Sequence, residues 1–372
     1  MRAAIGNLTL TADRSSVLNI FVMYYAMHKV SLSENLLKGS EAMKDTRVII
    51  FGVGSVGKEV VRALSVKKGV KIVGALDKGP IAGRDLGEIA GLGHNLGVLI
   101  TNDEDALFAG TGADVLIHTT TTHVAETYQQ LRKPIVAGIN IITAAEELSS
   151  PATYDPASTK LLDDLAKKHG VTVLGTGLWP TYVDIDIPLL LSAGSRDVQG
   201  VKYCRHSDFR AYMGSVVAKH FGMGVTKKDY EKGVREGVIV GHVGFEGSFE
   251  RLGHYFGWTI NKVTKDESQF YGGNGTTTGI RTIARGWESG VQRIEMEIHV
   301  CIDEGWETYD KFEIVAEPST HMMIKPALYG TRPVANVLVN HIPAVLNAEA
   351  GILTRSTVGA FAFGGESGKY VS

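Results

Sequence analysis

Residues 47–57 read Arg-Val-Ile-Ile-Phe-Gly-Val-Gly-Ser-Val-Gly, a β-branched strand that enters a glycine triplet and leaves it as an amphipathic helix. No other stretch restricts the fold so tightly. A GxGxxG spacing alone is weak evidence, but between a strand and a helix each glycine has a geometric task. Gly52 permits the tight turn, Gly54 lets the backbone approach a ligand, and Gly57 lets the helix lie close on the strand. With Val53, Ser55 and Val56 between them, they place unpaired helix N–H groups around an anion, an arrangement suited to a dinucleotide pyrophosphate. Twenty residues beyond Gly57, Asp77 closes the next strand, where a carboxylate accepts hydrogen bonds from both adenosine ribose hydroxyls and favours NAD. Lys78 and Arg84 lie close behind and suit a 2′-phosphate, so the cofactor reads as NAD or NADP. The competing reading is a glycine turn that serves packing alone.

From this start, short apolar runs alternate with helical stretches, which predicts βαβ units and a parallel sheet. The strands are expected at 47–51, 70–77, 97–101, 114–119, 140–144 and 171–175, and the helices at 56–65, 103–108, 124–132 and 159–169. After residue 182 the period changes to two, most clearly at 293–300 and more weakly at 198–204 and 311–316. Such strands have one buried and one wet face. The chain is therefore expected to be α/β: a Rossmann-type doubly wound parallel sheet with a second, mostly antiparallel α+β domain. The divisions are an extension at 1–43, a dinucleotide-binding domain at 44–181 and a substrate domain at 182–332. The last segment, 333–372, is expected to pack back on the first domain through a helix at 333–353.

Composition narrows the function. The chain has 372 residues, 44% of them hydrophobic, and its 38 basic and 40 acidic side chains form no long single-sign block. That argues against a nucleic-acid partner. Two cysteines, Cys204 and Cys301, make no disulfide framework, and no His/Cys spacing suits zinc, so no metal is expected. The apolar run at 17–27 is too short to span a bilayer. Asp13 precedes it where a secretory signal wants a basic segment. A cytoplasmic location is expected, with organelle targeting by residues 1–43 as the alternative.

Chemistry is sought at the carboxyl ends of the parallel strands, where open α/β sheets bind ligands. There the fourth strand runs into Thr119, Thr120 and Thr121, whose hydroxyls suit the nicotinamide ribose, although a Thr run is also an ordinary β-branched strand end. The fifth runs into Glu146 and Glu147. Neighbouring side chains diverge there, so one acid is expected to face the pocket and the other solvent or a helix terminus. Hydride transfer needs one group to move a proton, and a carboxylate at this strand end suits that task. Gly175-Thr176-Gly177 ends a further strand, and Trp179 and Tyr182 after it are placed to wall a pocket. Arg205, His206, Tyr212 and His242 lie in the second domain in a polar, locally aromatic context.

These features together resemble 2,4-diaminopentanoate dehydrogenase and the related native amine dehydrogenases, within the dihydrodipicolinate reductase-like group. The similarity rests on the glycine loop, the Thr-rich strand end, Ala145-Glu146-Glu147-Leu148, and Gly175-Thr176-Gly177 with Pro180. Gly241-His242-Val243-Gly244, Thr282-Ile283-Ala284-Arg285-Gly286 and Val339-Asn340-His341-Ile342-Pro343 extend it, from about residue 46 to about residue 355. The resemblance implies a homodimer and reversible NAD(P)-dependent deamination of a primary amine to a carbonyl compound plus ammonia. It places the catalytic glutamate on Glu146, with Glu147 as the alternative. It places pocket positions on Tyr182, Arg205, Tyr212 and His242, and a contact to the nicotinamide amide on Asn340.

Two departures matter. Trp179-Pro180-Thr181 stands where diaminopentanoate-type enzymes tend to have Asn-Pro-Gly, which makes the mouth bulkier and points to a simpler amine. The signatures of dihydrodipicolinate reductase itself, His-His and Lys-x-Asx-x-Pro-Ser-Gly, are absent. A dehydrogenase of an alcohol or semialdehyde is one rival; it needs a pocket lysine, for which Lys202 and Lys219 are the candidates. A nucleotide-binding sensor without turnover is the other.

Overall fold

In the computed structural model, residues 45–213 and 216–353 are described. The 1–43 extension with its targeting alternative, and the end of the last segment, lie outside them. Within the described residues, two sheets divide the chain.

The first sheet opens with β1 (Thr46–Phe51), whose last four residues are all buried. The helix α1 (Ser55–Ser65) follows and returns over it, burying Gly57, Val60, Val61 and Leu64 on one stripe. Each such aliphatic side chain taken from water contributes about 1.5–3 kcal/mol. Then come β2 (Val70–Leu76), β3 (Ile100–Thr101), β4 (Val115–His118), the helix α2 (Val124–Val136), β5 (Asn140–Thr143) and β6 (Thr172–Gly175). The 97–101 strand expectation shrinks to two residues for a local reason. Gly97 has φ +71°, and the N–H groups of Leu96 and Gly97 both donate to the Asp85 carboxylate, each at 2.9 Å, instead of to a neighbouring strand.

The second sheet contains β7 (Arg196–Asp208), β8 (Lys262–Tyr271), β9 (Thr277–Glu288), β10 (Val291–Cys301), β11 (Tyr309–Glu317) and β12 (Thr320–Ile324), with the helix α3 (Phe245–Phe256) between β7 and β8. Alternation is clean on β10, where Ile294, Met296, Ile298 and Val300 are buried. These side chains meet Tyr203, Phe245, Phe249 and Phe312 in one core. The order is β12-β11-β7-β10-β9-β8. All pairings are antiparallel except β7 with β10.

At the carboxyl end, α4 (Thr331–Asn340) returns to the first sheet and packs on α1. The single helix expected at 333–353 is instead α4, a short helix at Ile342–Asn347 and a strand, β13 (Gly351–Leu353). Pro343 lies in the first turn of the short helix, where its missing N–H costs nothing. β13 pairs in parallel with β6 and completes a seven-stranded parallel sheet, β13-β6-β5-β4-β1-β2-β3. Strand order reverses between β1 and β4, which makes a crevice at their carboxyl ends.

Candidate active site

The glycine loop and the Thr loop leave adjacent strands at this crevice, with Phe51 of β1 in register with His118 of β4. Gly52 has φ +95°, a region that favours glycine. A Cβ on Gly57 would lie 1.9 Å from the Gly52 carbonyl oxygen, so close helix packing requires glycine there too. At Gly54 a Cβ would meet nothing within 4 Å, which leaves open space above the amino end of α1. That end has no side-chain cap and no acid in its first turn, so its dipole and free N–H groups face outward.

Asp77 is built into the loop. Its carboxylate accepts the Val53 N–H at 2.7 Å and the Gly79 N–H at 2.7 Å, one on each oxygen. Each oxygen retains a second lone pair for an outside donor. Lys78 and Arg84, expected to suit a 2′-phosphate, are both in ion pairs, with Glu104 at 2.9 Å and Glu88 at 2.5 Å.

The Thr run, expected to suit the nicotinamide ribose, is engaged locally. Thr119 Oγ1 donates to the Gly52 carbonyl at 2.9 Å and so ties the two loops together. Thr120 bonds His118 and Gln130, and Thr121 bonds Glu126.

The acid pair divides. Glu147 Oε1 lies 2.9 Å from His123 Nδ1, and its Oε2 accepts the Val124 N–H at 2.9 Å, at the amino end of α2. Glu146 takes no hydrogen bond from any described residue. Burial pushes its carboxyl up to about 7, reinforced by the Glu147 charge and opposed by His123. Both acids sit on the 3₁₀ turn Glu146–Ser149. This turn packs against β6, the Leu178–Asp186 segment and α3, where the two sheets' layers meet. Gly175 permits the approach, because a Cβ there would lie 2.2 Å from the Leu148 carbonyl oxygen.

Beyond β6, Trp179 bridges to the second layer. Its indole N–H donates to the Val243 carbonyl at 3.3 Å, its ring stacks at 6.0 Å on Tyr203, and Phe245 meets it edge-on at 5.5 Å. Tyr182 is half-buried against the same core. Arg205 is buried rather than open to a pocket: Nε and Nη2 both reach Asp310, at 2.7 and 3.2 Å. Tyr212 is likewise held, its hydroxyl bonded to the Gly330 backbone. His242 lies 3.3 Å from Thr282 Oγ1 and edge-on to Phe221. Burial, with Arg205 and Lys265 nearby, holds its ring down to about 3, so it is neutral. Lys202, the rival base, pairs with Glu313 at 2.9 Å.

Asn340 is the clearest displacement. Its side chain lies 3.4 Å from Lys67, beyond the carboxyl end of α1. The glycine loop is at the other end of that helix, roughly 16 Å away at 1.5 Å per residue. It is therefore remote from the crevice, because α4 runs alongside α1 in the same direction, starting with Arg332 at 3.7 Å from Glu59.

Three further side chains at the site carry no sequence signal of their own. His118 and His123 flank the Thr run, and Asp184 is buried between layers. Asp184 accepts the Thr181 N–H at 2.7 Å and the Ser248 hydroxyl, and burial pushes it up to about 6.

Comparison with known proteins follows this two-part geometry. Residues 46–174 match the family described as dihydrodipicolinate reductase, N-terminus, and residues 183–362 match the 2,4-diaminopentanoate dehydrogenase C-terminal domain. The 2,4-diaminopentanoate dehydrogenase of Acetoanaerobium sticklandii is 29% identical over 84% of this chain and 93% of its own length. Along most of its length the chain is thus similar to 2,4-diaminopentanoate dehydrogenase. Among solved structures, the amine dehydrogenase from Mycobacterium smegmatis superimposes with a TM-score of 0.73 at 25% identity, covering 84% of this chain and 95% of that one. A 4-hydroxy-tetrahydrodipicolinate reductase of Trichormus variabilis is 32% identical, over only 32% of this chain and 44% of its own. Trp179 lies in the short stretch that neither family match includes.

Proposed function

We propose that this protein is an amine dehydrogenase that interconverts a primary amine with a ketone or aldehyde plus ammonia, using Glu146 as its proton carrier. The class follows from these relatives: an NAD(P)-dependent oxidoreductase acting on CH–NH2 donors. The observation that carries the reading further is the divided acid pair, in which Glu147 is bound to α2 and His123 while Glu146 is free and titrates near neutrality. A proton carrier works best with its pKa near the working pH.

The residues present fit a dinucleotide, because Gly54 leaves the helix end open and Gly52 and Gly57 admit no side chain. Gly52, Val53, Gly54, Ser55, Val56 and Gly57 would hold the pyrophosphate and Asp77 the adenosine ribose. The bound nicotinamide supplies the hydride acceptor in one direction and the donor in the other. As carboxylate, Glu146 removes a proton from the substrate ammonium and leaves a neutral amine able to give up hydride. Hydride loss leaves an iminium ion, and Glu146, once it has released its first proton to solvent, takes a proton from the water that adds to that ion. In reverse, as the neutral acid, it protonates the carbinolamine hydroxyl, which leaves as water. Trp179 and Tyr182 wall the substrate side with aromatic surface, which suits an alkyl or cyclic amine better than a diamino acid.

The test is a reduced-nicotinamide absorbance assay at alkaline pH with both cofactors, comparing 2,4-diaminopentanoate with simple alkyl and cyclic amines. Tight cofactor binding without turnover of any amine would support the sensor reading instead. The proposal includes a reducing, cytoplasmic setting, consistent with the unpaired Cys204 and Cys301. It also includes a homodimer, for which the second sheet's face opposite its core, with its Lys202–Glu313 and Arg281–Glu297 pairs, is the candidate surface. Sedimentation measures the oligomer.

A further inference from the structure

Glu146 is flanked by two anchored residues. On its carboxyl side, Glu147 is held by the Val124 N–H of α2. On its amino side, the Ala145 N–H donates to Thr143 Oγ1 at 3.1 Å, and that hydroxyl lies 2.8 Å from Nδ1 of His118. The other ring nitrogen of His118 lies 2.8 Å from Gln130 Oε1 and 2.7 Å from Thr120 Oγ1. Gln130 is on α2, the helix that Glu147 caps. The contacts therefore close a ring: His118, Thr143, Ala145, Glu146, Glu147, α2, Gln130 and back to His118. Only the Glu146 side chain in this ring lacks a hydrogen-bond partner among the described residues.

The ring has one consistent polarity. Gln130 Oε1 can only accept, so the ring proton of His118 sits on Nε2, and Thr143 Oγ1, which accepts from Ala145, donates its own proton to Nδ1. Nδ1 is then the acceptor, and Nε2 carries the proton toward Gln130 and Thr120. His118 and Thr143 are fully buried, and burial depresses the imidazole to about 4, so the ring stays neutral over the working range. We propose that His118 is a positioning residue for the reaction: through its Nδ1 and Thr143 it holds Ala145, and so sets the direction of the Glu146 carboxylate. The inference rests on the reading of Glu146 as proton carrier. A histidine that merely fills the core would act equally through either nitrogen, whereas this role belongs to Nδ1 alone.

Two amides separate the cases. The Asn oxygen falls where Nδ1 stands and can accept from Thr143, while the Gln amide reaches the Nε2 position and leaves Thr143 without its acceptor. The experiment titrates carboxyl-labelled glutamate by carbon NMR in the full chain, with the Glu146 signal identified by its loss in Glu146→Gln. Charges facing that carboxyl are Glu147 and His123, unchanged in every variant. In His118→Gln and Thr143→Val the Glu146 midpoint should fall by about one unit or more, as the loosened side chain becomes better solvated. Turnover should drop on the order of tenfold or more with little change in KM. His118→Asn and Thr143→Ser, which keep the bond, should restore both. Equal midpoints in the Asn and Gln variants, or an unchanged midpoint in Thr143→Val, would overturn the proposal. If the His118 variants do not fold, the Thr143 pair decides alone. The titration needs no substrate, so its result stands apart from the assignment of the amine.

Discussion

Adjacent in sequence, Glu146 and Glu147 have opposite surroundings: Glu147 is bonded through both oxygens to His123 and Val124, while Glu146 has no hydrogen bond from the described residues. The charge of the bound acid is also a cause of the raised pKa of the free one. A helix cap and a proton carrier thus occupy consecutive positions.

Substituting Glu147 should therefore tune the reaction without abolishing it. Glu147→Gln removes the charge that raises Glu146, so the Glu146 limb of the pH–rate profile should move to lower pH. The weakened cap should cost about 1 kcal/mol of stability. A pH–rate series with a denaturant titration checks both. Near-total loss of turnover here, with Glu146→Gln mild, would transfer the proton-carrying role to Glu147.

Stability should report the Glu146 environment independently of any substrate. Its folded pKa, about 7, lies above that of an ordinary glutamate. The folded state therefore binds the extra proton, and that stabilisation is complete below the unfolded pKa and lost as pH rises through about 7. Glu146→Gln should leave stability nearly unchanged at pH 4–5 and gain on the order of 2–3 kcal/mol over wild type at pH 8–9. Thermal melts across that range measure it, and a variant no more stable at alkaline pH would contradict the buried-acid assignment.

The two loop glycines should fail differently. At Gly57 an added Cβ meets backbone at 1.9 Å, so Gly57→Ala should destabilise the fold as well as lose cofactor. At Gly54 nothing lies within 4 Å, so Gly54→Ala should melt like wild type yet bind NAD at least about tenfold more weakly. Paired melting and cofactor-fluorescence titrations separate the effects. Unchanged binding in Gly54→Ala would remove the pyrophosphate from this loop.

Asp77 supports the loop through Val53 and Gly79, so Asp77→Ala should weaken both dinucleotides. Loss of ribose hydrogen bonds adds to this only for NAD, whose affinity should fall by at least about tenfold more than that of NADP. Equal losses would leave the carboxylate a loop support only.

Much of the architecture is legible in sequence, since strand–glycine–helix order and the switch from mixed to two-residue periodicity are local patterns. Residues whose settings are decided by distant partners were not. Arg205 has the same local context whether it faces a pocket or Asp310, and that pairing joins residues brought together only when β7 and β11 align. Asn340 lies on a helix whose periodicity says which face is buried but not which end lies over the crevice. β13 is three residues long, too short for any period, and becomes a strand because β6 offers an open edge. The acid pair was visible as two adjacent carboxylates, but their division depends on the amino end of α2, which lies more than twenty residues earlier in the chain.

The central claim is tested most directly by the pH dependence of amine oxidation in wild type and Glu146→Gln, with reduced nicotinamide and released ammonia measured together and cofactor affinity determined in parallel. The account predicts equal yields of the two products, a wild-type rate that rises with pH through about 7, and a loss of about 100-fold or more in Glu146→Gln at unchanged cofactor affinity. A Glu146→Gln enzyme that oxidises the amine at the wild-type rate would contradict it.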